Sequence, residues 1–477
     1  MNNDPNRPAG VTVNTGEEEA GYVLFPVIQS KKTLLLSNDG RIVKVWDGDY
    51  YSAYSSYLKD NGDLVRAVAL PETSFGPVGP WSYMSGRVEE LSWDGDLLWS
   101  YESSSEHQMG HHDIRVMPNG HILLLVYDRH FEDEALAAGL NPEKLPEDHE
   151  LWGENIVEID PATNEVVWEW STWDHLIQDF DPMLDNYGVA AAHPEKVDIN
   201  YGEVALTSDW LHMNAVVYNA DLDQIMLSSK NFSEIWIIDH SISTEEAKGT
   251  GGDLLYRWGN PEVYQAGTDA DQTLYGQHDP NWIPDGYPGA GDILIYDNGS
   301  TDERPYSRIV QITPPVDENG DYVMKSGEST GPEAVTWEYI ADPPESFFSA
   351  IISGAQRQPN GDTLIAEGTN GRIFEVNPEG KTVWEYYLPP AAMIFRAERY
   401  NLPVFADLDQ GQDLSAELGF GIIWGKDCQD GTKPRLHAYL QNEADDMTLF
   451  NNTYGDKAQV EWETESCAEH GGVVAES

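Results

Sequence analysis

The chain has 477 residues with 83 acidic and 27 basic side chains, which gives a formal net charge of −56 at pH 7. So acidic a chain argues against nucleic acids and anionic membranes as partners, because both attract clusters of Lys and Arg. Aromatic residues make up 11% of the chain and Gly and Pro are frequent, so a large, turn-rich core is expected and disorder of the bulk is excluded. No apolar run is long enough to span a membrane, so membrane insertion is not expected.

The acidity and the cysteines indicate the cellular compartment in which the protein works. An acidic surface suits a high-salt habitat, and it equally suits an ordinary secreted protein. The two cysteines, Cys428 and Cys467, both lie in the last 50 residues, where a disulfide is predicted, with two free thiols as the alternative. We therefore predict an exported protein, periplasmic or extracellular, although the first residues, MNNDPNRPAG, show no secretion signal.

One phrase recurs along the chain and sets the architecture. It consists of a small residue, an alternating apolar strand, a turn with Gly or Asn, and a strand that ends in aromatic residues. The clearest copies are GRVEELSWDGDLLWSYE from Gly86, ENIVEIDPATNEVVWEWS from Glu154 and GRIFEVNPEGKTVWEYYLP from Gly371. Each copy predicts a β-hairpin whose aromatic end packs between neighbouring sheets.

A second strand pair precedes most copies, so one unit has four strands and about 50 residues, the size of a propeller blade. The units cover 22–50, 51–102, 111–171, 202–259, 278–340 and 353–389. We predict an all-β, six-bladed β-propeller over 22–400, with an N-terminal extension over 1–21 and a C-terminal segment over 401–477 that closes the ring. In that segment, GFGIIWG and KAQVEWET are the candidate closing strands. Insertions from Glu132 to Leu151 and from His175 are predicted to form short helices on one rim, and a pair of β-sandwiches is the alternative fold.

The register of the upstream strand pairs places three histidines at one equivalent position. When the pairs are aligned on their turn residues, His112, His212 and His278 each lie six residues before the turn, and Ser353 takes the fourth place. In a propeller the first strand of each blade lines a central channel, so side chains at equivalent positions converge near the axis. The three imidazoles are therefore predicted to share one pocket.

Polar and cationic residues close to these histidines in the sequence are candidates for substrate binding. Asp113 and Asp279 directly follow a histidine, and each either orients an imidazole or forms a turn at the strand end. Cations are few in this chain, so those near the same rim could form a positive site for an anion such as sulfate. The substrate-binding candidates are Asn214, Gln277, Asp279, Lys230, Arg357 and Arg396, and Arg304 and Arg308 follow the DNG turn.

Several motifs resemble the arylsulfate sulfotransferase family, most closely its broader branch. They are HHDI from His111, DWLHMNAVVY from Asp209, GQHDP from Gly276, YDNG from Tyr296 and FRAERY from Phe395. The resemblance extends over most of the chain. It implies a six-bladed propeller that moves a sulfuryl group from an aryl sulfate to a phenol in two steps, through a sulfated histidine and without a nucleotide or other required cofactor.

The resemblance also implies roles for single residues. His212 and His278 match active-site histidines of the family, and Arg304 or Arg308 matches its arginine. Where the sulfated histidine of the characterised enzymes is expected, this sequence reads SAIISGAQR, with Ser349 and Ser353. Another histidine, His112 or His278, would then take the sulfuryl group. One assignment has His278 as the nucleophile, His212 as the proton donor and an arginine that binds the sulfuryl oxygens.

Two other functions remain open from the sequence. Three converging histidines with an open position, His112, His212 and His278, resemble a zinc or copper site, so a metal-dependent enzyme is one alternative. A non-catalytic ligand-binding propeller is the other. The acidic turn DENGD from Asp317 is a possible calcium site. The sequence leaves the natural donor and acceptor and the oligomeric state undetermined.

Overall fold

The computed structural model describes residues 9–28, 30–70, 85–202, 208–389, 392–406, 408 and 413–414, and the backbone of three strands within 420–475. In chain order the strands of the first half are β1 Gly10–Asn14, β2 Tyr22–Pro26, β3 Lys32–Ser37, β4 Ile42–Asp47, β5 Tyr51–Leu58, β6 Leu64–Ala69, β7 Gly86–Leu91, β8 Leu97–Glu102, β9 Gln108–Val116, β10 Ile122–Phe131, β11 Glu150–Asp160, β12 Glu165–Ser171, β13 Leu176–Ile177 and β14 Val197–Asp198. Those of the second half are β15 Met213–Asn219, β16 Gln224–Ser229, β17 Glu234–Asp239, β18 Tyr256–Trp258, β19 His278–Trp282, β20 Ile293–Asp297, β21 Arg308–Ile312, β22 Trp337–Tyr339, β23 Gly354–Arg357, β24 Thr363–Glu367, β25 Arg372–Val376, β26 Thr382–Tyr387, β27 Glu398–Tyr400, β28 Phe420–Gly425, β29 Arg435–Leu440 and β30 Val473–Ala475.

Six antiparallel sheets form the blades of a propeller, which confirms the predicted fold. Blades 2, 3, 4, 5 and 6 consist of β5–β8, β9–β12, β15–β18, β19–β22 and β23–β26, each with its first strand innermost. Blade 1 has the order β27-β2-β3-β4, so its innermost strand comes from the far end of the fold. The blades follow the predicted repeat units because every repeated phrase forms the outer hairpin of one sheet.

Each pair of neighbouring blades encloses a large apolar cluster of described residues. The fully buried Trp170 of blade 3 packs with blade 4, and the fully buried Trp384 of blade 6 packs with blade 1. Because each sheet has a neighbour on both faces, inner strands such as β6 are buried at every residue. A sandwich has only two facing sheets, so this ring excludes the alternative fold.

The strand that closes the ring is not among those expected after Leu402. Glu398–Tyr400 pairs with β2, and β1 adds a fifth strand to blade 6 through β26. The predicted closing strand GFGIIWG instead contributes β28, which pairs with β29 and β30 in a separate sheet. FRAERY supplies the closing strand because it follows blade 6 by a short connection, whereas KAQVEWET lies outside the described residues, as do Cys428 and Cys467. Their disulfide stays a prediction.

Helical structure is brief. The helices are α1 Glu132–Ala137 and α2 Thr244–Ala247, and single 3-10 turns cover Pro142–Lys144, Thr172–His175, Ala190–Ala192, Thr250–Gly252, Pro261–Tyr264, Asp269–Asp271, Pro344–Ser346, Gly368–Asn370 and Pro403–Phe405. The first predicted insertion is therefore helical at its start. The second, from His175, is not, because the Gln178 side chain accepts hydrogen bonds from the backbone N–H groups of Phe180 and Asp181. Within the described ranges, no helix is long and apolar enough to cross a membrane.

A charged contact joins blades 3 and 4 on their outer side. Nε2 of His240 lies 2.9 Å from Glu158 of blade 3, and its Nδ1 lies 2.7 Å from Asp223. Burial would lower the pKa of His240, but the hydrogen bonds and charges of the two carboxylates outweigh it and raise this pKa. Burial would raise the pKa of Glu158, but His240 and His121 outweigh it and lower this pKa.

His240→Gln is expected to lower the free energy of unfolding by about 1 to 2 kcal/mol near pH 6 and by less near pH 9. A raised histidine pKa stabilises the fold below the unfolded pKa of histidine, and this contribution is lost as the pH rises through the folded pKa. The lowered pKa of Glu158 contributes above the unfolded pKa of glutamate and is lost as the pH falls. Thermal unfolding of both proteins across this range measures the difference, and a difference that grows above pH 8 would contradict the assignment.

Candidate functional site

Residues with left-handed backbone recur near the start of the inner strands, four residues into β9 in the case of His112. His112, His212, Asp279 and Ile352 have φ values of +47°, +49°, +52° and +53°, in four successive blades. The ladders of β9, β15 and β19 shift register at the same places. Left-handed backbone at residues other than glycine costs about 1 kcal/mol or more and is concentrated at functional sites. The repeat thus builds the same strained strand start around the axis.

The three predicted histidines lie together at these strand starts. The ring centroids of His112 and His212 are 4.7 Å apart at an angle of 67°. Phe395 lies beside both His112 and His278, with centroid distances of 6.2 and 6.5 Å. Burial lowers the pKa of His112, and the nearby His212 and His278 lower it further, so His112 is a neutral imidazole at pH 7.

His212 is oriented by a carboxylate that the sequence analysis did not single out. Its Nδ1 is hydrogen-bonded to Oδ2 of Asp209, and the Tyr127 hydroxyl donates to the other oxygen of Asp209 at 3.1 Å. Burial would raise the pKa of Asp209, but His212 and Lys230 outweigh it and lower this pKa. The described residues give no hydrogen bond to Nε2 of His212. An Asp–His pair with one ring nitrogen free is suited to proton transfer.

His112 is held by a different set of groups. Its ring stacks on Tyr54 with 4.8 Å between centroids and 6° between planes. Its Nδ1 lies 2.8 Å from Nδ1 of His111, whose Nε2 lies 2.6 Å from Oε2 of Glu154. No hydrogen bond from a described residue reaches Nε2 of His112. The free nitrogen on a neutral ring is the requirement for a histidine nucleophile.

Both nitrogens of His278 are engaged. The backbone N–H of Ile352 donates to Nε2 at 3.1 Å, and Nδ1 lies 2.8 Å from Oδ1 of Asn298 and 3.0 Å from the carbonyl oxygen of Gly276. Burial lowers the pKa of His278 to about 3. In this arrangement His278 has no free lone pair, and it positions the Ile352 loop of blade 6.

One predicted cation lies at the site, and two arginines lie beside it. Burial lowers the pKa of Lys230, whose positive charge lowers the pKa of both His112 and His278. Arg304 pairs with Asp297 at 2.5 Å, and its Nε and Nη1 make no hydrogen bond to the described residues. Arg308 is fully occupied, because it binds Asp297, Glu338 and the carbonyl oxygen of Thr273.

The other two arginine candidates have structural partners. Arg357 lies at the far end of β23, stacks on Trp337 and donates to the carbonyl oxygen of Gly361 and to Gln311. Arg396 is 3% exposed and binds residues of three blades: Asp113 at 3.1 Å, Asp279 at 2.9 Å and the Tyr57 hydroxyl at 2.6 Å. Burial would lower the pKa of Arg396, but the two carboxylates outweigh it and raise this pKa, so the guanidinium stays charged.

The remaining polar candidates connect adjacent blades. Asp113 accepts from the backbone N–H of Val216 in blade 4, and Asp279 accepts from that of Ala355 in blade 6, both at 3.0 Å. Asn214 donates to the carbonyl oxygen of Gln277. The Gln277 side chain in turn donates to Ser228 and to the backbone of blade 4. Asp113 and Asp279 thus link neighbouring blades, and these bonds match neither of the two roles considered for them, the orientation of an imidazole or a turn at the strand end.

The serines in the fourth place are part of a buried hydrogen-bond cluster. Ser353 donates to Ser349 at 2.9 Å and accepts from the backbone N–H of Gly368. Ser349 accepts from Thr369 at 2.9 Å and donates to the carbonyl oxygen of Ile351. These hydroxyls therefore hold the loop after β24.

Aromatic and aliphatic side chains form one side of the site. Phe395, Ile28 and Ile352 make up a buried cluster with Tyr54 and Met393 packed against it. Burial raises the pKa of the Tyr54 hydroxyl to about 12. This apolar side next to His112 is chemically suited to an aromatic ring.

The proposed metal sites find little support in the geometry. Among the described residues, no group of three or more His, Cys, Asp and Glu side chains is arranged to hold a metal ion. His278 also has no free nitrogen to act as a ligand. In the DENGD turn, Oδ1 of Asp317 accepts from the backbone N–H groups of Asn319 and Asp321, so it caps its own turn.

Fold and site together define a propeller with a histidine cluster where its inner strands begin. The family model for arylsulfotransferase (ASST) matches residues 81–389, which is more than half of the chain. The chain therefore belongs to the arylsulfotransferase family, and the resemblance drawn from its motifs is confirmed.

A curated relative and two solved structures complete the comparison. Arylsulfate sulfotransferase AssT of Lelliottia amnigena is 24% identical over 387 residues, which are 72% of this chain and 58% of AssT. The chain thus spans somewhat more than half the length of that relative. A protein of unknown function from Bacteroides caccae is 12% identical over 80% of this chain and 98% of its own, with a TM-score of 0.44. The Cps50 (Swd1) β-propeller domain of Myceliophteria thermophila is 10% identical over 80% and 86%, with a TM-score of 0.39.

Proposed function

We propose that this protein transfers a sulfuryl group from an aryl sulfate to a phenolic acceptor through a sulfated His112, without a nucleotide donor. The observation that carries the proposal is the buried imidazole of His112, whose Nε2 makes no hydrogen bond to a described residue and whose ring centroid lies 4.7 Å from that of His212. Family membership supplies the reaction class. The choice of His112 over His278 rests on the hydrogen bond that Ile352 donates to the Nε2 of His278.

In the first step, the Nε2 lone pair of His112 forms a bond to sulfur, and the bond between sulfur and the aryl oxygen breaks. The electron pair leaves with the phenolate, which takes a proton from Nε2 of His212. Asp209 supports that role, since its carboxylate binds Nδ1 of His212 and leaves Nε2 for the proton transfer. In the second step, His212 removes the proton of the acceptor phenol, whose oxygen attacks the sulfur and releases His112.

Cations and aromatic rings account for substrate binding in this proposal. The Lys230 ammonium stabilises the negative charge on the sulfuryl oxygens. It is close enough to His112 for its positive charge to lower the pKa of that ring. Arg304, whose buried Nε and Nη1 make no hydrogen bond to the described residues, adds a second positive charge that favours an anionic donor. Tyr54 and Phe395 stack on the aryl group. Export, the disulfide and a high-salt habitat stay predictions.

The expected kinetic result is a ping-pong pattern. With 4-nitrophenyl sulfate as donor and phenol as acceptor, double-reciprocal plots at several acceptor concentrations should give parallel lines, since the first product leaves before the acceptor binds. The rates should persist after treatment with a chelator. Intersecting lines would refute the sulfated intermediate. Activity lost on chelation and restored by Zn²⁺ would favour the metal-dependent alternative, and tight binding of the donor without turnover would favour the binding propeller.

A further inference from the structure

A line of buried side chains leads from His112 into blade 3. His111 on β9 and Glu154 on β11 are 1% and 0% exposed, and they are linked to His112 by contacts of 2.8 and 2.6 Å. Tyr127 of the intervening strand β10 stacks on His111 at 3.6 Å, which fixes the plane of that ring. Glu154, His111 and His112 therefore form one continuous hydrogen-bonded chain that ends at Nδ1 of His112.

Such a chain has two proton arrangements. With Glu154 ionised, Nε2–H of His111 donates to Glu154 and Nδ1–H of His112 donates to His111, which leaves the lone pair on Nε2 of His112. With Glu154 protonated, both hydrogen bonds reverse their direction: Glu154 donates to Nε2 of His111, and Nδ1–H of His111 donates to Nδ1 of His112. Nε2 of His112 then carries the hydrogen. Only the first arrangement presents a nucleophile to the substrate.

The surroundings of Glu154 let it take either form. The backbone N–H of Met213 donates to its Oε1 at 2.9 Å, which stabilises the carboxylate. Burial and the charge of Asp209 raise the pKa of Glu154, and the charge of His212 opposes them. The Tyr127 hydroxyl, whose pKa is itself raised by burial, is the remaining titratable group on β10 that faces it. Burial also lowers the pKa of His111 to about 3, so that ring stays neutral while protons pass through it.

We propose that Glu154 and His111 are positioning residues that set which nitrogen of His112 carries a proton and receive that proton when His112 is sulfated. As Nε2 of His112 bonds to sulfur, its Nδ1 proton passes to Nδ1 of His111, and the Nε2 proton of His111 passes to Glu154. The sulfated ring is then neutral, and Glu154 is a carboxylic acid. The transfer of this proton during sulfation rests on the proposed function, whereas the control of the His112 tautomer by Glu154 does not.

The test is histidine ¹⁵N NMR of the full chain from about pH 5 to about pH 9, with His112 assigned from the signal missing in His112→Asn. In the wild type, Nε2 of His112 should change from a protonated to a lone-pair signal as the pH rises. In Glu154→Gln the backbone N–H of Met213 holds the amide oxygen in the place of Oε1, so the amide nitrogen faces His111 and donates to it. Nε2 of His112 should therefore stay protonated throughout. Glu158→Gln is the matched control, since Glu158 lies on the same strand and binds His121 and His240 away from the site. It should behave as the wild type does.

Sulfation of the enzyme by 4-nitrophenyl sulfate gives the second readout. Glu154→Gln should slow it by at least about 100-fold and remove its rise with pH. A wild-type His112 whose tautomer does not change with pH would overturn the proposal without any variant. An unchanged titration in folded Glu154→Gln would overturn it as well. If the tautomer follows Glu154 but no sulfated enzyme forms, the proposed function fails while the positioning role stands.

Discussion

His112→Asn is expected to lower phenol release from 4-nitrophenyl sulfate by at least about 1000-fold and to abolish the sulfated enzyme. The reason is that the three histidines of the site differ in their partners. Nε2 of His278 accepts a hydrogen bond from Ile352, and the ring of His212 is paired with Asp209, whereas Nε2 of His112 has no hydrogen bond from a described residue. Asparagine keeps a polar group toward His111 but has no nucleophilic nitrogen. Stopped-flow absorbance of the released phenol measures the first step directly.

Two further variants make this result specific. His278→Gln is expected to lose only about 10-fold, because His278 holds the Ile352 loop and takes no part in bond formation. His193→Asn serves as the control, since His193 is half exposed and binds Glu195 outside the site. Loss of the first step in the His278 variant together with its retention in His112→Asn would reverse the assignment.

Arg396→Met is expected to lower the free energy of unfolding by about 3 to 5 kcal/mol. Arg396 is buried between Asp113 and Asp279, so methionine would leave two buried carboxylates without this cation. The substitution also separates the closing strand from blades 3 and 5. Urea unfolding monitored by tryptophan fluorescence gives the change.

The double variant Arg396→Met, Asp279→Asn should recover part of that loss, because it removes one of the unpaired carboxylates. Lys325→Met is the control, since its ion pair with Glu328 is exposed and contributes less than about 1 kcal/mol. A loss below about 1 kcal/mol in Arg396→Met would show that the ring does not depend on this contact.

The sequence predicted the blades well because each repeated phrase is a local hairpin. Period-2 alternation, turn residues and aromatic ends are properties of neighbouring residues, so they mark GRVEELSWDGDLLWSYE and its copies without knowledge of the ring. The same repeat register brought His112, His212 and His278 together. The repeat register could not locate the closing strand, since Glu398–Tyr400 is three residues long and pairs with residues 374 to 378 positions earlier in the chain.

The partners of the histidines were harder to predict for the same reason. Asp209 was visible three residues before His212 in DWLH, and His111 in HHDI, yet neither motif says which nitrogen is bound. Glu154 reaches His111 only because β11 lies beside β10 in the folded sheet. The roles of Arg357 and Arg396 were equally hidden from the sequence. Arg357 lies at the far end of β23, and Arg396 packs between residues of three blades, and neither position follows from spacing along the chain.

The central claim, a sulfuryl group carried on His112, is tested most directly by the intact mass of the protein. The sample is mixed briefly with 4-nitrophenyl sulfate without acceptor, quenched at alkaline pH, and digested for peptide mapping. The account predicts a gain of one sulfuryl group, located on the peptide that contains His111 and His112, assigned to His112 by fragmentation and lost on addition of phenol. An adduct on His212 or His278, or phenol release with no adduct, would contradict it.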